Sequence, residues 1–215
     1  MSERSANHIM APSELGEYLD SKKWKMLEAD AFRYSGETGW RAMLRAYVHD
    51  PGFRFTYYLR KVKYYAKTKR GLGLPGYVYN RVLLHHYRMR YGFDISPATE
   101  IGEGLYIGHF GGIVVSPYAV LGANINIAQG VTIGSTSTGP RKGAPIIEDR
   151  VWIGANAVLV GNITIGREAL IGPGAYVFFD VPSGGVVLGN PGIVVGHTGS
   201  AGYVNKVLSD ELPAG

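Results

Sequence analysis

Aliphatic residues recur at every sixth position through the second half of the chain. This period fits neither one face of a helix nor a simple two-sided strand. It is typical of a solenoid in which each hexad forms one short strand and a turn, with the aliphatic side chain pointing inward. Because no single coil buries enough apolar surface, such coils are stable only when stacked. The repeated positions are Ile95, Ile101, Ile107, Leu121, Ile127, Ile133, Ile147, Ile153, Leu159, Ile165, Ile171 and Val177.

The register of the repeat slips twice. The step from Ile107 to Val115 is eight residues, and the step from Ile133 to Ile147 is fourteen. The first slip follows His109, and the second is a stretch over 134–145 with turn and loop composition. Insertions in a solenoid leave the stack and commonly line a binding face, so we expect functional residues at both slips.

Residues ahead of the repeat predict an α-helical subdomain. Glycine, proline and capping signals divide it into five helices, of which the first begins after Ser13 and the others cover 24–34, 39–49, 53–69 and 76–91. The repeat weakens after Val177 and ends in a short strand and a turn. We therefore predict a helical N-terminal subdomain over 1–93, a solenoid domain over 94–196 and a small, polar, partly ordered C-terminal tail over 197–215.

The composition limits the types of catalytic and metal-binding residue that the chain can use, and it indicates where in the cell the protein is located. The chain has 215 residues and no cysteine, which excludes disulfides, a thiolate nucleophile and cysteine metal ligands. The N-terminus lacks the pattern of a secretion signal, and no apolar run is long enough to span a bilayer. These features predict a soluble, cytoplasmic protein.

Positive charge is concentrated ahead of the repeat. The formal net charge is +5, and from Arg41 to Arg90 a run of basic residues interleaved with aromatic ones contains a single acid, Asp50. One interpretation is a solvated helix face. The other is a surface that meets an anionic partner, such as a membrane face, an acidic glycan or phosphates. No nucleic-acid-binding motif accompanies the charge, so nucleic acid is not a predicted partner.

Four segments resemble the serine O-acetyltransferases, a family of hexapeptide-repeat acyltransferases. They are DISPATEIG at 94–102, GHFGGIVV at 108–115, QGVTIG at 129–134 and GNPGIVVG at 189–196. The resemblance implies a left-handed parallel β-helix and an enzyme that uses acetyl-CoA. It also implies a homotrimer with acetyl-CoA in the groove between neighbouring subunits, whereas the pairing of trimers into hexamers is not assumed.

Acetyl transfer to an alcohol requires a base, and a neutral histidine suits this role because its pKa lies near the working pH. His109 is the only histidine within the repeat. The resemblance gives Asp94 the role of holding its imidazole. Backbone amides near Gly111 and Gly112 are candidate oxyanion donors. Without a cysteine, or a serine in a nucleophile elbow, direct transfer is favoured over an acyl-enzyme.

The resemblance also assigns residues to the acetyl-CoA groove. Along its pantetheine arm it places five residues, which are Gly134, Ser135, Thr136, Ala155 and Pro173. Arg141, Lys142 and Arg167 are candidates for the phosphates, with ordinary solvated loop charge as the alternative.

The acceptor side departs from the family pattern. Asp50, followed by Pro51, matches the family aspartate that meets the substrate amine, and Gly108 and Phe110 flank the base. However, Gly108 replaces a family acid, and Gly143 and Ala144 replace an Arg–His pair. A zwitterion would lose partners for its charges here, and unpaired buried charges are costly. We therefore expect acetylation of a sugar hydroxyl in a capsular or extracellular polysaccharide, with L-serine as the alternative acceptor.

The sequence disfavours two other functional classes. A zinc enzyme of the γ-carbonic anhydrase kind needs three imidazole ligands, and the repeat offers one, so no metal is predicted. A catalytically inactive scaffold would keep the hexads and lose the histidine and aspartate, both of which this chain retains.

Overall fold

The computed structural model describes residues 12–67 and 73–208. It confirms a parallel β-solenoid preceded by a helical region. The strands are β1 (Phe93–Ile95), β2 (Glu100–Ile101), β3 (Tyr106–Ile107), β4 (Ile113–Val115), β5 (Val120–Leu121), β6 (Asn126–Ile127), β7 (Thr132–Gly134), β8 (Ile146–Ile147), β9 (Trp152–Ile153), β10 (Val158–Val160), β11 (Thr164–Ile165), β12 (Leu170–Ile171), β13 (Tyr176–Val177), β14 (Val186–Leu188) and β15 (Ile193–Gly196).

From β1 to β12, successive strands belong in turn to three different sheets, so that each coil contributes one strand to each sheet. Sheet A has the order β1-β4-β7-β10-β13, sheet B the order β11-β8-β5-β2, and sheet C the order β15-β14-β12-β9-β6-β3. The pairs are parallel except β14 with β15. Three corners connect the sheets, and we name them the A–B, B–C and C–A corners in chain direction.

The six-residue positions form the solenoid core. In sheet A, Ile95 lies beside Val115, which lies beside Ile133, and Leu159 and Val177 continue the row. All five are buried. Each such aliphatic side chain contributes about 1.5–3 kcal/mol when it is removed from water, so the stack accounts for the strict period in the sequence.

Four helices, rather than the five we predicted, lie in the described ranges. They are α1 (Pro12–Ser35), α2 (Trp40–His49), α3 (Pro51–Lys67) and α4 (Gly73–Tyr91). The first two predicted helices form one continuous helix because no glycine or proline interrupts 17–35. Pro75 lies in the first turn of α4, where proline is tolerated, so it does not end the preceding helix. The Ser13 side chain and residues 68–72, with Lys69 and Arg70, lie outside the described part.

A buried charge network joins the helices to the first coil. The Arg60 guanidinium of α3 donates to both Asp30 carboxylate oxygens of α1, at 2.9 and 3.1 Å. It also donates to the Ile101 and Gly102 carbonyls, and the Leu105 amide donates to Asp30 at 2.9 Å. This network therefore fixes α1 and α3 against the turn between β2 and β3.

Residues 197–208 fold back onto the outer face of sheet C. The Asn126 side-chain amide donates to the Tyr203 carbonyl at 3.0 Å, and the Tyr203 and Trp152 rings lie 5.0 Å apart. The predicted tail is thus packed on the solenoid around Ser200 and Tyr203, and Lys206 donates to the Tyr34 carbonyl of α1 at 2.9 Å. Residues 209–215 lie outside the described part. Within 12–67 and 73–208, no helix combines the length and apolar character needed to cross a membrane.

Candidate active site

The first register slip forms the turn from β3 to β4, at the C–A corner. Gly111 and Gly112 have φ values of 112° and 63°, a left-handed conformation that favours glycine. The Gly111 amide donates to the Tyr91 carbonyl at 2.9 Å, and the Ile113 amide to the Gly92 carbonyl at 3.0 Å. These bonds anchor the turn against the end of α4. His109, two residues before Gly111, is exposed on this turn.

Asp94 lies one coil before His109, on β1. Its side chain faces outward, is 64% exposed and forms an ion pair with Arg88 of α4. Among the described residues, no hydrogen bond joins Asp94 to His109. The pairing of these two residues therefore stays a prediction, and Arg88 is a partner of Asp94 that the sequence pattern did not indicate.

One of the two candidate oxyanion donors is already engaged. The Gly111 amide is bonded to Tyr91, as described above. The Gly112 amide has no hydrogen-bond partner among the described residues. Gly112 is therefore the better candidate to donate to a developing oxyanion beside His109.

The start of α3 is docked directly on β3. A Cβ atom at Gly52 would lie 2.2 Å from the Ile107 carbonyl oxygen, so only glycine permits this approach. The Tyr34 hydroxyl supports the same contact, because it donates to the Ile107 carbonyl at 3.2 Å and accepts from the Ile107 amide at 3.1 Å. Asp50 is two residues before Gly52, and Ile107 is two residues before His109, so the two docked elements carry the predicted site residues close to the contact in sequence.

Asp50 is a partly buried carboxylate with a raised pKa. Burial raises its pKa above the ordinary value, and the charges of His49, Lys206 and Arg54 partly oppose this shift. Within the described ranges it forms no ion pair shorter than 4 Å. It can therefore accept hydrogen bonds from a positively charged group of a ligand.

The second register slip forms a small hairpin at the A–B corner, and it carries most of the predicted acetyl-CoA residues. Thr136 and Gly143 exchange backbone hydrogen bonds of 2.8 and 3.0 Å, which close the hairpin. Gly134 and Ser135 lead into it, and Arg141 and Lys142 lie on its returning side. Arg141 donates to the Asp180 carboxylate and to the Asn162 carbonyl, all at 3.2 Å.

Two of the three residues predicted to bind the acetyl-CoA phosphates are already paired with acidic side chains of the same chain. Bonds from the Thr164 amide and Arg141 lower the pKa of Asp180, so Arg141 holds a charged partner within its own chain. Arg167 lies at the B–C corner and pairs with Asp149 at 2.7 Å. Lys142 is exposed and has no partner among the described residues, which leaves it the better placed of the three for a phosphate.

Ala155 and Pro173 lie at the C–A corner, in line with His109. The turns of this corner are stacked by amide-to-carbonyl bonds from Gly130 to Gly111, from Asn156 to Gln129 and from Gly174 to Ala155. Apart from Arg167 at the B–C corner, the predicted acetyl-CoA residues are thus divided between the two corners on either side of sheet A. A single chain does not bring the two groups into one groove.

The basic stretch is less exposed than the sequence indicated. Arg60 is buried in the junction, and Arg54 donates to the Tyr47 and Val48 carbonyls and the Tyr91 hydroxyl. Lys63 donates to the Thr99 carbonyl at 2.6 Å, and burial lowers its pKa to about 8. These three residues hold the helices together instead of forming an anion-binding face. Their long-range partners gave no signal in the sequence.

The described residues contain no group of three or more histidine, cysteine or acidic side chains arranged to hold a metal ion. Gly108 and Phe110, the other residues predicted to meet the acceptor, flank His109 and are exposed. The Phe110 residue is 67% exposed, so an exposed aromatic side chain lies next to His109 in the sequence.

Comparison with known proteins places the chain among hexapeptide-repeat transferases. Residues 144–178 match the family model Bacterial transferase hexapeptide (six repeats). The serine acetyltransferase of Synechococcus elongatus is 40% identical over 119 residues, which cover 55% of this chain and 49% of that protein. The chain thus spans about half the length of that curated relative.

Solved structures of serine acetyltransferases match a larger part of this chain than the sequence relative does. The Neisseria gonorrhoeae serine acetyltransferase in complex with serine has 34% identity and a TM-score of 0.66, over 83% of this chain and 70% of that one. The soybean serine acetyltransferase complexed with serine has 30% identity and a TM-score of 0.64, over 82% and 69%.

These relatives overturn the predicted polysaccharide acceptor, since they are named for serine. The structure gives a physical reason for the error. Asp50 is a partly buried carboxylate just before the docked start of α3, and such a group suits an ammonium better than a neutral sugar. Moreover, Arg54, Arg60 and Lys63, which supported an acidic glycan, are engaged within the fold.

Proposed function

Since this chain belongs to the serine O-acetyltransferase family, we propose that it transfers the acetyl group of acetyl-CoA to the hydroxyl of L-serine, giving O-acetylserine and CoA. The observation that supports the proposal best is the docking of Gly52 on Ile107, because these two residues are each two positions from Asp50 and His109 in the sequence. A cytoplasmic location, predicted from the sequence, is part of the proposal.

In the proposed reaction, His109 accepts the proton of the serine hydroxyl as its oxygen attacks the thioester carbonyl of acetyl-CoA. The Gly112 amide donates to the oxyanion of the tetrahedral intermediate. When the intermediate collapses, the C–S bond breaks and the His109 imidazolium returns the proton to the CoA sulfur. Asp50 holds the serine ammonium throughout, and Asp94 orients the imidazole.

We further propose that two copies build each site, within a cyclic trimer. His109, Ala155 and Pro173 lie at the C–A corner, whereas the hairpin with Thr136 and Lys142 lies at the A–B corner of the same sheet. A neighbouring copy that presents its A–B corner to this C–A corner completes the groove for acetyl-CoA. Closed cyclic symmetry repeats the same contact for every copy.

The direct test is turnover of the purified full chain with acetyl-CoA and L-serine. CoA release is followed with a thiol reagent, and O-acetylserine is identified by mass spectrometry. We expect release that depends on serine, and none above background with L-alanine, which lacks the hydroxyl. If serine does not increase CoA release above the hydrolysis of acetyl-CoA alone, the proposed acceptor is wrong.

Replacing Asp50 by asparagine should raise the KM for serine by about 10–100-fold, because a hydrogen bond to a charged group contributes roughly 1.5–3 kcal/mol. The KM for acetyl-CoA should change little. The matched control is Glu37→Gln, which neutralises an exposed acid of the same subdomain. An unchanged KM for serine in Asp50→Asn would show that Asp50 does not bind the acceptor.

The raised pKa of Asp50 predicts that the KM for serine depends on pH. Burial raises the pKa of Asp50, and only the ionised form attracts the serine ammonium. Lowering the pH through this raised pKa should therefore raise the KM for serine in the wild type. Steady-state profiles should lack this acidic rise in Asp50→Asn.

A further inference from the structure

Helix α2 presents a row of large apolar residues to solvent. Trp40, Leu44 and Val48 follow one another at four-residue spacing, which places them on one side of the helix. They are 67%, 53% and 53% exposed, whereas Ala42 and Ala46 of the same helix are buried. In a helix of a globular subdomain, this apolar side would ordinarily face the core. Here it lacks a partner within the described part of the chain.

A groove extends this apolar row across the helical region. It has a volume of about 450 Å³, and Trp24 of α1, Leu44 of α2 and Tyr79 of α4 are among its walls. Trp24 and Tyr79 are themselves 49% and 63% exposed. We call the surface formed by Trp24, Trp40, Leu44, Val48 and Tyr79 the aromatic face. Contiguous exposed apolar surfaces of this kind mark sites of interaction.

Positive charges surround the aromatic face. The Arg41 guanidinium lies 5.4 Å from the centre of the Trp40 ring, and the Lys23 ammonium lies 5.4 Å from the Trp24 ring. Lys61 lines the groove. The whole sequence from Trp40 to Tyr91 contains one acidic residue, Asp50, which the active site uses. An anionic partner therefore meets attraction along the part of the face formed by α2 and α4.

We propose that the aromatic face rests on an anionic lipid bilayer, with Trp40 and Leu44 at the level of the headgroups and acyl-chain ends. Tryptophan and tyrosine favour this interfacial depth because their rings are apolar with a polar edge. Arginine and lysine beside them gain energy from anionic headgroups. The arrangement is that of a protein lying on the membrane, since no described helix can span it.

A second copy of this chain is a poorer occupant of the same face. A two-fold contact brings a surface against itself. Arg41 and Lys61 would then meet the same cations of the partner, and like charges across an interface are unfavourable. An anionic bilayer supplies the opposite charge instead.

The proposed contact also has a consequence for the active site. Helix α2 ends at His49, directly before Asp50. Its ten residues span about 15 Å at 1.5 Å per residue. Membrane binding through α2 would therefore hold the acceptor site within about one helix length of the bilayer surface.

The test is cosedimentation of the full chain with phosphatidylglycerol–phosphatidylcholine vesicles, compared with vesicles of phosphatidylcholine alone. We expect binding to the anionic vesicles, weakened by added salt, and a blue shift of tryptophan emission. Trp40→Ser and Leu44→Ser should each reduce partitioning on the order of tenfold. Arg41→Gln and Lys61→Gln should each reduce it about fivefold. The matched control is Ile193→Ser on β15, which removes an apolar side chain of similar exposure outside the face.

Three results would overturn the proposal. They are no sedimentation with anionic vesicles, equal binding to neutral and anionic vesicles, or equal effects of Ile193→Ser and Trp40→Ser. A change of oligomeric state in Trp40→Ser, without loss of vesicle binding, would assign the face to contacts between copies and would also overturn it. Far-ultraviolet circular dichroism checks that each variant is folded. Because the readout is vesicle binding, it is independent of whether serine is the acceptor.

Discussion

Replacing His109 by alanine is expected to lower kcat for serine acetylation on the order of a hundredfold or more, which is the usual contribution of a general base. The melting temperature should change little, because the side chain is exposed and has no hydrogen-bond partner among the described residues. Binding of acetyl-CoA should persist, since the imidazole acts on the acceptor proton. The measurements are steady-state kinetics with both substrates and a thermal melt.

A matched control separates this effect from the loss of any surface histidine. His85 is exposed on α4, and His85→Ala should retain wild-type kcat. A scaffold without catalytic function would lose nothing in either variant. If His109→Ala kept most of the wild-type turnover, another group would have to remove the serine proton. The proposed acceptor would survive that result, whereas the proposed mechanism would not.

The solenoid was predictable because its determinant is local. Each hexad repeats the same requirement for one inward aliphatic side chain, so the period in the sequence maps directly onto the stacked row of Ile95, Val115 and Ile133. The register slips were equally informative. They become the His109 turn and the hairpin closed by Thr136 and Gly143.

The interior of the helical region was not predictable from the same kind of pattern. Arg60 lies 30 residues from its partner Asp30 along the chain, and Lys63 lies 36 residues from the Thr99 carbonyl that it binds. In the sequence, a basic residue that donates to carbonyl groups far along the chain cannot be distinguished from a basic residue exposed to solvent. Counting charges therefore overestimated the anion-binding surface, because Arg54, Arg60 and Lys63 are engaged inside the fold.

The acceptor was mispredicted for a related reason. Gly108, Gly143 and Ala144 showed which charged groups the chain lacks at matched positions. They did not indicate that α3 docks on β3 next to Asp50. The close contact between Gly52 and Ile107, which underlies the proposed role of Asp50, joins two elements that are far apart in sequence.

The second large effect is on stability, and it concerns the buried pair of Asp30 and Arg60. Asp30→Asn should destabilise the fold by about 3–5 kcal/mol, because it leaves the Arg60 charge buried without a counter-charge. Both side chains are almost completely inaccessible, at 0% and 3% exposure. For a chain of this length, such a loss lowers the melting temperature by on the order of 10 °C. Urea unfolding followed by circular dichroism measures it.

The control for this prediction is Glu37→Gln, which breaks the exposed pair of Glu37 with Arg45, at 57% and 58% exposure. Exposed pairs contribute about 0–1 kcal/mol, so the control should unfold close to the wild type. The double variant Asp30→Asn with Arg60→Met should cost less than the sum of the two single changes, because it removes the unpaired charge itself. If Asp30→Asn were no more harmful than the control, the junction between helices and solenoid would depend on apolar packing alone. In that event the docking of α3 on β3 would depend on the contact between Gly52 and Ile107 rather than on the ion pair.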